Sequence, residues 1–178
     1  MRAAALATAA GAALAAAGTL ALTRGLVVVT VRGASMSPAF EDGDRVLVRR
    51  GFRPAVGRVV VAEHPAPGGT WPGPPVPPGA GATAVHGRAW LIKRVAAVPG
   101  DPVPRHHVRS LTTTPEGRVP SGRLVLLGDN SSISYDSREV GYFPLERVLG
   151  TVMRRLTRPV RGAVSRGDLG PPPCGALT

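Results

Sequence analysis

Apolar positions along this chain fall into short clusters separated by Gly, Pro and charged residues, and the clusters are of two kinds. Ala3 to Leu22 carries no charge and is built from Ala, Leu, Gly and Thr. Twenty helical residues reach roughly 30 Å, one hydrocarbon core. The segment therefore suits a membrane anchor, with a cleaved leader or a buried helix as the other readings of an Ala-rich run. Arg2 precedes it, and Arg24 and Arg32 follow it. That balance opposes export of the C-terminal part, although the charge rule fades for long translocated domains. The later clusters are short and rich in β-branched residues, the pattern of strands. They are Leu26 to Val31, Arg45 to Arg49, Arg58 to Ala62, Leu91 to Val98, Leu124 to Leu127 and Val148 to Met153. No amphipathic helix stands out among them. Between His64 and Gly87 lie Pro65, Pro67, Pro72, Pro74, Pro75, Pro77 and Pro78, interspersed with Gly. This composition predicts a long surface loop or insertion without a core of its own. Trp71 inside it is a candidate contact for a lipid interface or a partner. From Arg158 the chain turns to Arg, Gly and Pro and reads as a frayed tail. The division expected is thus an anchor at 1–24, a mostly β domain at 25–157 carrying the 64–87 insertion, and a tail at 158–178.

Charge narrows the partners. The 178 residues carry a formal net charge of +11, which invites nucleic acid or an anionic membrane surface. The arginines are scattered, and aromatic residues are 4% of the chain, too few for a base-stacking platform. No helix-turn-helix or zinc-finger spacing is present. A basic surface beside a lipid bilayer is the better account, and no nucleic-acid partner is expected. Cys174 is the only cysteine, and His64, His86, His106 and His107 lack zinc-ligand spacing, so neither a metal site nor a cofactor is implied.

One residue stands out chemically. Lysine and arginine together number 22, and Lys93 is the only lysine. It sits between the apolar pairs Leu91-Ile92 and Val95-Ala96. A guanidinium stays charged, whereas a desolvated ammonium gives up its proton and becomes a base. The bland alternative is a lysine at a strand edge with its stem packed and its head in water. Ser35 follows the first strand in a turn set by Gly33 and Pro38. A serine hydroxyl needs a base to attack an acyl carbon, and a lysine serves in some hydrolases. The two are far apart in sequence, and no Ser-x-x-Lys helix of the β-lactamase kind is present.

Three boxes then follow in order: Ser35-Met36-Ser37-Pro38, Lys93-Arg94-Val95 with Pro99-Gly100-Asp101, and Gly128-Asp129-Asn130 with Ser134 and Asp136-Ser137-Arg138. Together they resemble the signature boxes of bacterial type I signal peptidases, membrane-anchored serine endopeptidases that cleave leader peptides. The likeness runs from about Leu26 to Leu156 and leaves the Pro-rich insertion and the tail unmatched. It implies a mostly β, antiparallel catalytic domain of signal-peptidase type behind one N-terminal transmembrane helix, with the dyad at a sheet edge. By this resemblance Ser35 is the nucleophile, Lys93 the general base, and Ser134 orients the Lys93 amine. The Ser35 N–H donates to the oxyanion. Asp129, Asp136 and Arg138 are supporting residues, a carboxylate–guanidinium pair pinning the loop that bears Ser134; as residues alone they are better read as a turn-stabilising ion pair. Where some members place a second oxyanion-donating serine, this chain has Gly33, as in the Gram-positive type, and Ala39 replaces the family's usual Thr.

The expected activity is removal of signal peptides with small residues at −1 and −3 from exported preproteins. It would take place on the extracytoplasmic side of the cytoplasmic membrane, by a single-pass enzyme without cofactor. The alternatives are a maturation peptidase of the same family dedicated to one precursor, a soluble Ser-Lys autoprotease of a repressor, and a non-catalytic membrane-anchored binding protein on the same scaffold. The apolar N-terminal segment argues against the autoprotease, and the paired Ser35 and Lys93 against the binding protein.

Overall fold

The computed structural model describes residues 25–51 and 53–157. Its strands are β1 (Leu26–Thr30), β2 (Arg45–Arg50), β3 (Val59–Glu63), β4 (Trp90–Ala97), β5 (Arg123–Leu127), β6 (Phe143–Pro144) and β7 (Val148–Thr157). They form one seven-stranded sheet in the order β1-β2-β7-β3-β4-β5-β6. Every pairing is antiparallel. The mostly β, antiparallel expectation therefore holds. The six apolar clusters each became a strand, with β7 running on past Met153 because its later residues pair with β2.

Side chains on a strand point alternately to opposite faces, and β3 shows what this does at the sheet centre. Val59 and Val61 join Val46, Val48 and Ile92 on one face. Val60 and Ala62 join Val95, Leu126 and Phe143 on the other. With core on both faces, all five residues of β3 are buried, which is why its sequence is continuously apolar. β1 is different: it alternates exposed and half-buried along its length. Although β1 ends the strand order, Val27, Val29 and Val31 pack in the same cluster as Val61 and Ile92. The sheet thus curls until its first strand approaches β4.

The connection from β1 to β2 bears Ser35. It is closed at its neck by Val31 N–H to the Asp44 carbonyl (2.8 Å) and Gly43 N–H to the Val31 carbonyl (2.9 Å). Gly43 takes φ 84°, open to a residue without Cβ. Met36 is fully buried beneath the turn.

Two expectations change. The Pro-rich insertion has structure: Ala82–His86 form a short helix, α1, whose Val85 is only 5% exposed. Trp71 packs edge-on against Phe143 (centroids 6.1 Å apart), with the Arg147 guanidinium 5.1 Å from its ring centre. Its contacts are therefore within the chain. A second short helix, α2 (Ser137–Val140), follows the loop bearing Ser134. The segment Ala3–Leu22 and the tail 158–178 lie outside the described residues. Among the described residues, no helix is long and apolar enough to cross a membrane.

Candidate active site

The fold brings Ser35 and Lys93 together. The Lys93 amine donates to Ser35 Oγ at 2.7 Å. Lys93 lies on β4 opposite Val60 of β3 and is 1% exposed. Among the described residues it has no carboxylate partner at ion-pair distance. Burial pushes the Lys93 pKa below its ordinary value. The Asp136 carboxylate, and more weakly Asp129, pull the other way, while Arg138 adds to the depression. With the amine neutral, the same short contact lets the serine O–H donate to Nζ, the geometry a general base requires.

The loop 128–138 holds this pair against the sheet. Its anchor is Asp136, which is fully buried. Asp136 Oδ2 accepts from Gly128 N–H (2.8 Å), from the Ser134 hydroxyl (2.6 Å) and from Arg138 Nη1 (2.8 Å). Asp136 also caps α2: Oδ1 accepts from Arg138 N–H at 3.0 Å, and Glu139 Oε2 accepts from Asp136 N–H at 3.0 Å. This reciprocal arrangement is a capping box. The loop reaches the nucleophile through Asn130, whose N–H donates to the Ser35 carbonyl at 3.0 Å. Gly128 allows the approach. A Cβ there would collide with the Ser134 side chain and sit 2.7 Å from the Ser35 carbonyl oxygen.

Each residue singled out in the sequence can now be placed. Asp136 and Arg138 form the expected pair that pins the loop. Asp129 belongs to a different pair, bound by Arg94 Nε and Nη2 at 2.8 and 2.6 Å. Ser134 is buried beside the site, and its hydroxyl donates to Asp136, not to Lys93. The Ser35 N–H has no acceptor among the described residues, and the Gly33 N–H donates to Asp42 Oδ1 at 2.7 Å. Sequence reasoning placed Arg94 and Asn130 in the boxes without giving them a role, and did not single out Glu139. Only Glu139 had a legible signal, the Asp-x-x-Glu spacing of a capping box from Asp136.

Beside the pair opens a cavity of about 200 Å³, lined by Ser35, Lys93 and the apolar side of Val29, Val31, Val61, Trp90 and Ile92. It lies where β1 approaches β4. Here β4 pairs with β3 on one side, whereas its pairing with β5 begins only at Arg94. Among the described residues, the backbone of Trp90–Lys93 therefore keeps one edge without a strand partner. No group of three or more His, Cys, Asp or Glu able to hold a metal occurs among the described residues.

An open strand edge, an apolar cavity and a serine hydroxyl on a buried amine make a site suited to cutting an extended polypeptide. Comparison with known proteins agrees at the level of class. The family described as "Signal peptidase, peptidase S26" matches residues 3–109 and 104–157, and the chain belongs to this peptidase family. Over 158 residues it is 28% identical to a protein described as "Signal peptidase I" from Leptolyngbya laminosa, with 78% of this chain and 70% of that protein covered.

Proposed function

We propose that this chain is a signal peptidase I-like serine endopeptidase that removes N-terminal signal peptides, with Ser35 as nucleophile and Lys93 as general base. The observation carrying the reading is the 2.7 Å contact between Ser35 Oγ and the buried Lys93 amine, which among the described residues has no carboxylate at ion-pair distance. The substrate lies as an added strand against the open edge of β4, bonded through its main chain. Small side chains at −1 and −3 enter the adjoining cavity. Ser35 Oγ attacks the scissile carbonyl as Lys93 takes its proton, and the Ser35 N–H donates to the oxyanion. The Lys93 ammonium then returns the proton to the departing amine, leaving an ester on Ser35. Water, deprotonated by the neutral Lys93, cleaves that ester. Asp136, Arg138 and Ser134 hold the loop that supports the pair, and Asp129 fixes Arg94 at its flank. In this reading residues 1–24 anchor the 25–157 peptidase domain to the cytoplasmic membrane, on its extracytoplasmic side.

The test is incubation of the purified full-length protein with a preprotein and mass determination of the products. A single cut after a small residue at the leader boundary supports the proposal. An intact preprotein at every pH overturns it. A panel of unrelated preproteins separates a general peptidase from one dedicated to a single precursor. N-terminal sequencing of the membrane-bound protein tests the anchor, which fails if the mature chain starts beyond Leu22.

A further inference from the structure

The insertion at 64–87 is bound to the sheet in a way that its composition explains. Proline offers a carbonyl but no N–H, so a proline-rich segment carries surplus acceptors. Arginines from the sheet and its margin supply the donors. Arg50 at the end of β2 donates to the carbonyls of Ala80 (2.5 Å) and Pro77 (2.6 Å). Arg88 donates to the Pro74 carbonyl at 2.9 Å and pairs with buried Glu63. Glu63 and Arg88 stand just outside the two ends of the insertion, so this pair closes its neck. Arg147 joins them, bonding Glu63 Oε2 at 2.9 Å while stacking over Trp71.

The same insertion reaches a residue that lines the cavity, Trp90. Trp90 is two residues before Ile92 on β4 and shares its face. Both pack in one cluster with Val29, Val31 and Val61, which also line the cavity beside Ser35. The Trp90 indole N–H donates to the carbonyl of Val85 in α1 at 2.7 Å, and buried Val85 packs in that cluster too. A half-buried indole is held by such a bond in one orientation. The cavity is thus walled at this end by a side chain whose position is set by the insertion.

We propose that the 64–87 insertion is a specificity element: through Val85 it fixes Trp90 as the closed end of the cavity, and this sets the size of the side chain accepted at −3. The assignment to −3 follows from spacing. In an extended substrate, −1 and −3 share a face and stand about 7 Å apart. Trp90 lies three residues from Lys93, about 10 Å along β4, whereas Ile92 adjoins it. The −1 side chain therefore meets Ile92 next to the reacting carbonyl, and the −3 side chain meets Trp90.

This inference rests on the proposed peptidase activity, and one experiment separates the two. The full-length protein is given leader peptides bearing Ala, Val or Leu at −3 with Ala at −1, and a second set varied at −1 with Ala at −3. The quantity read is the ratio of kcat/KM for Leu to that for Ala at each position. Trp90→Ala should raise the −3 ratio at least roughly tenfold, the effect of admitting a further methylene or two, and leave the −1 ratio unchanged. Trp90→Phe keeps a ring but loses the bond to Val85 and should give a smaller rise at −3. Arg50→Ala loosens the insertion without touching the cavity and should raise the −3 ratio while preserving cleavage of the Ala, Ala peptide. If Trp90→Ala fails to fold, the other two variants carry the test. Wild-type cleavage with unchanged −3 ratios in the folded variants, or an equal rise at −1, overturns the inference alone. Absence of wild-type cleavage on every peptide overturns the peptidase reading with it.

Discussion

The loop 128–138 and the insertion 64–87 are both irregular chain laid on the same sheet, and they are fastened differently. The loop converges on one buried carboxylate. Asp136 gathers donors from Gly128, Ser134 and Arg138 and leaves no acceptor of its own unused. The insertion has its fasteners spread out: backbone carbonyls answered by Arg50 and Arg88, two tryptophans, one packed on Phe143 and one bonded to Val85, and at its neck the buried Glu63 shared by Arg88 and Arg147. A carboxylate shared among several donors in a dry site is a network whose parts fail together. Dispersed bonds between arginine and carbonyl at half-exposed positions fail one at a time. The first arrangement suits a loop that, in the proposed peptidase, holds Ser35 and Lys93 in fixed register. The second suits a wall whose exact position tunes selectivity and leaves the chemistry alone.

The comparison is broken most severely at the reacting pair. Ser35→Ala, Lys93→Ala and Lys93→Arg should each lose roughly 10²–10⁴-fold or more in kcat/KM. Double variants should lose no more than the single ones, because the pair acts as a unit. Circular dichroism should show them folded. Additive losses, or a folded Lys93→Arg with near-normal cleavage, would remove the dyad. Next comes Asp136→Ala, which leaves buried donors and Arg138 without their acceptor and should cost about 3–5 kcal/mol in urea unfolding. Activity should fall with it, and a loss of stability without loss of activity would mean the loop does not position the pair. Arg88→Ala leaves Glu63 one guanidinium of its two. It should cost about 1–3 kcal/mol with kcat/KM on an Ala-x-Ala leader peptide little changed. A loss of cleavage as large as that of Asp136→Ala would erase the distinction between the two regions. The smallest effect is on pH. Burial lowers the folded pKa of Lys93, so the unfolded chain binds a proton that the folded chain releases, and unfolding takes up protons between the two values. The stability of the wild type relative to Lys93→Met should therefore rise with pH until the ordinary lysine value, about 10.4, is passed. A pH-independent difference contradicts the desolvated amine.

Part of the first region was legible in the sequence. A single lysine in an apolar strand and a serine after another strand suggested a pair, the resemblance to type I signal peptidases added the Gly-Asp-Asn loop with Ser134, and the fold brings Ser35, Lys93 and that loop together. What stayed hidden was which polar group answers which. Asp129 and Asp136 look alike in sequence, yet one pairs with Arg94 and the other with Arg138. Ser134 turns to the carboxylate because Gly128 lets the two backbones close around Asp136. The insertion was read as coreless because prolines cannot build helix or sheet. That reading missed Val85 and Trp90, which are made into a wall by contacts across the chain that no local pattern encodes. The same is true of the sheet's curl, by which edge strand β1 comes to line a cavity with β4.

The central claim is that Lys93 works as a neutral base, and the pH dependence of kcat/KM on a leader-peptide substrate tests it most directly. The account predicts a rate that rises with pH along an acidic limb governed by one ionisation, with an apparent pKa below the ordinary lysine value because the amine is buried. It also predicts that this limb vanishes with the activity in a folded Lys93→Arg. A limb that persists in an active Lys93→Arg, or a wild-type rate flat across the range, would contradict it.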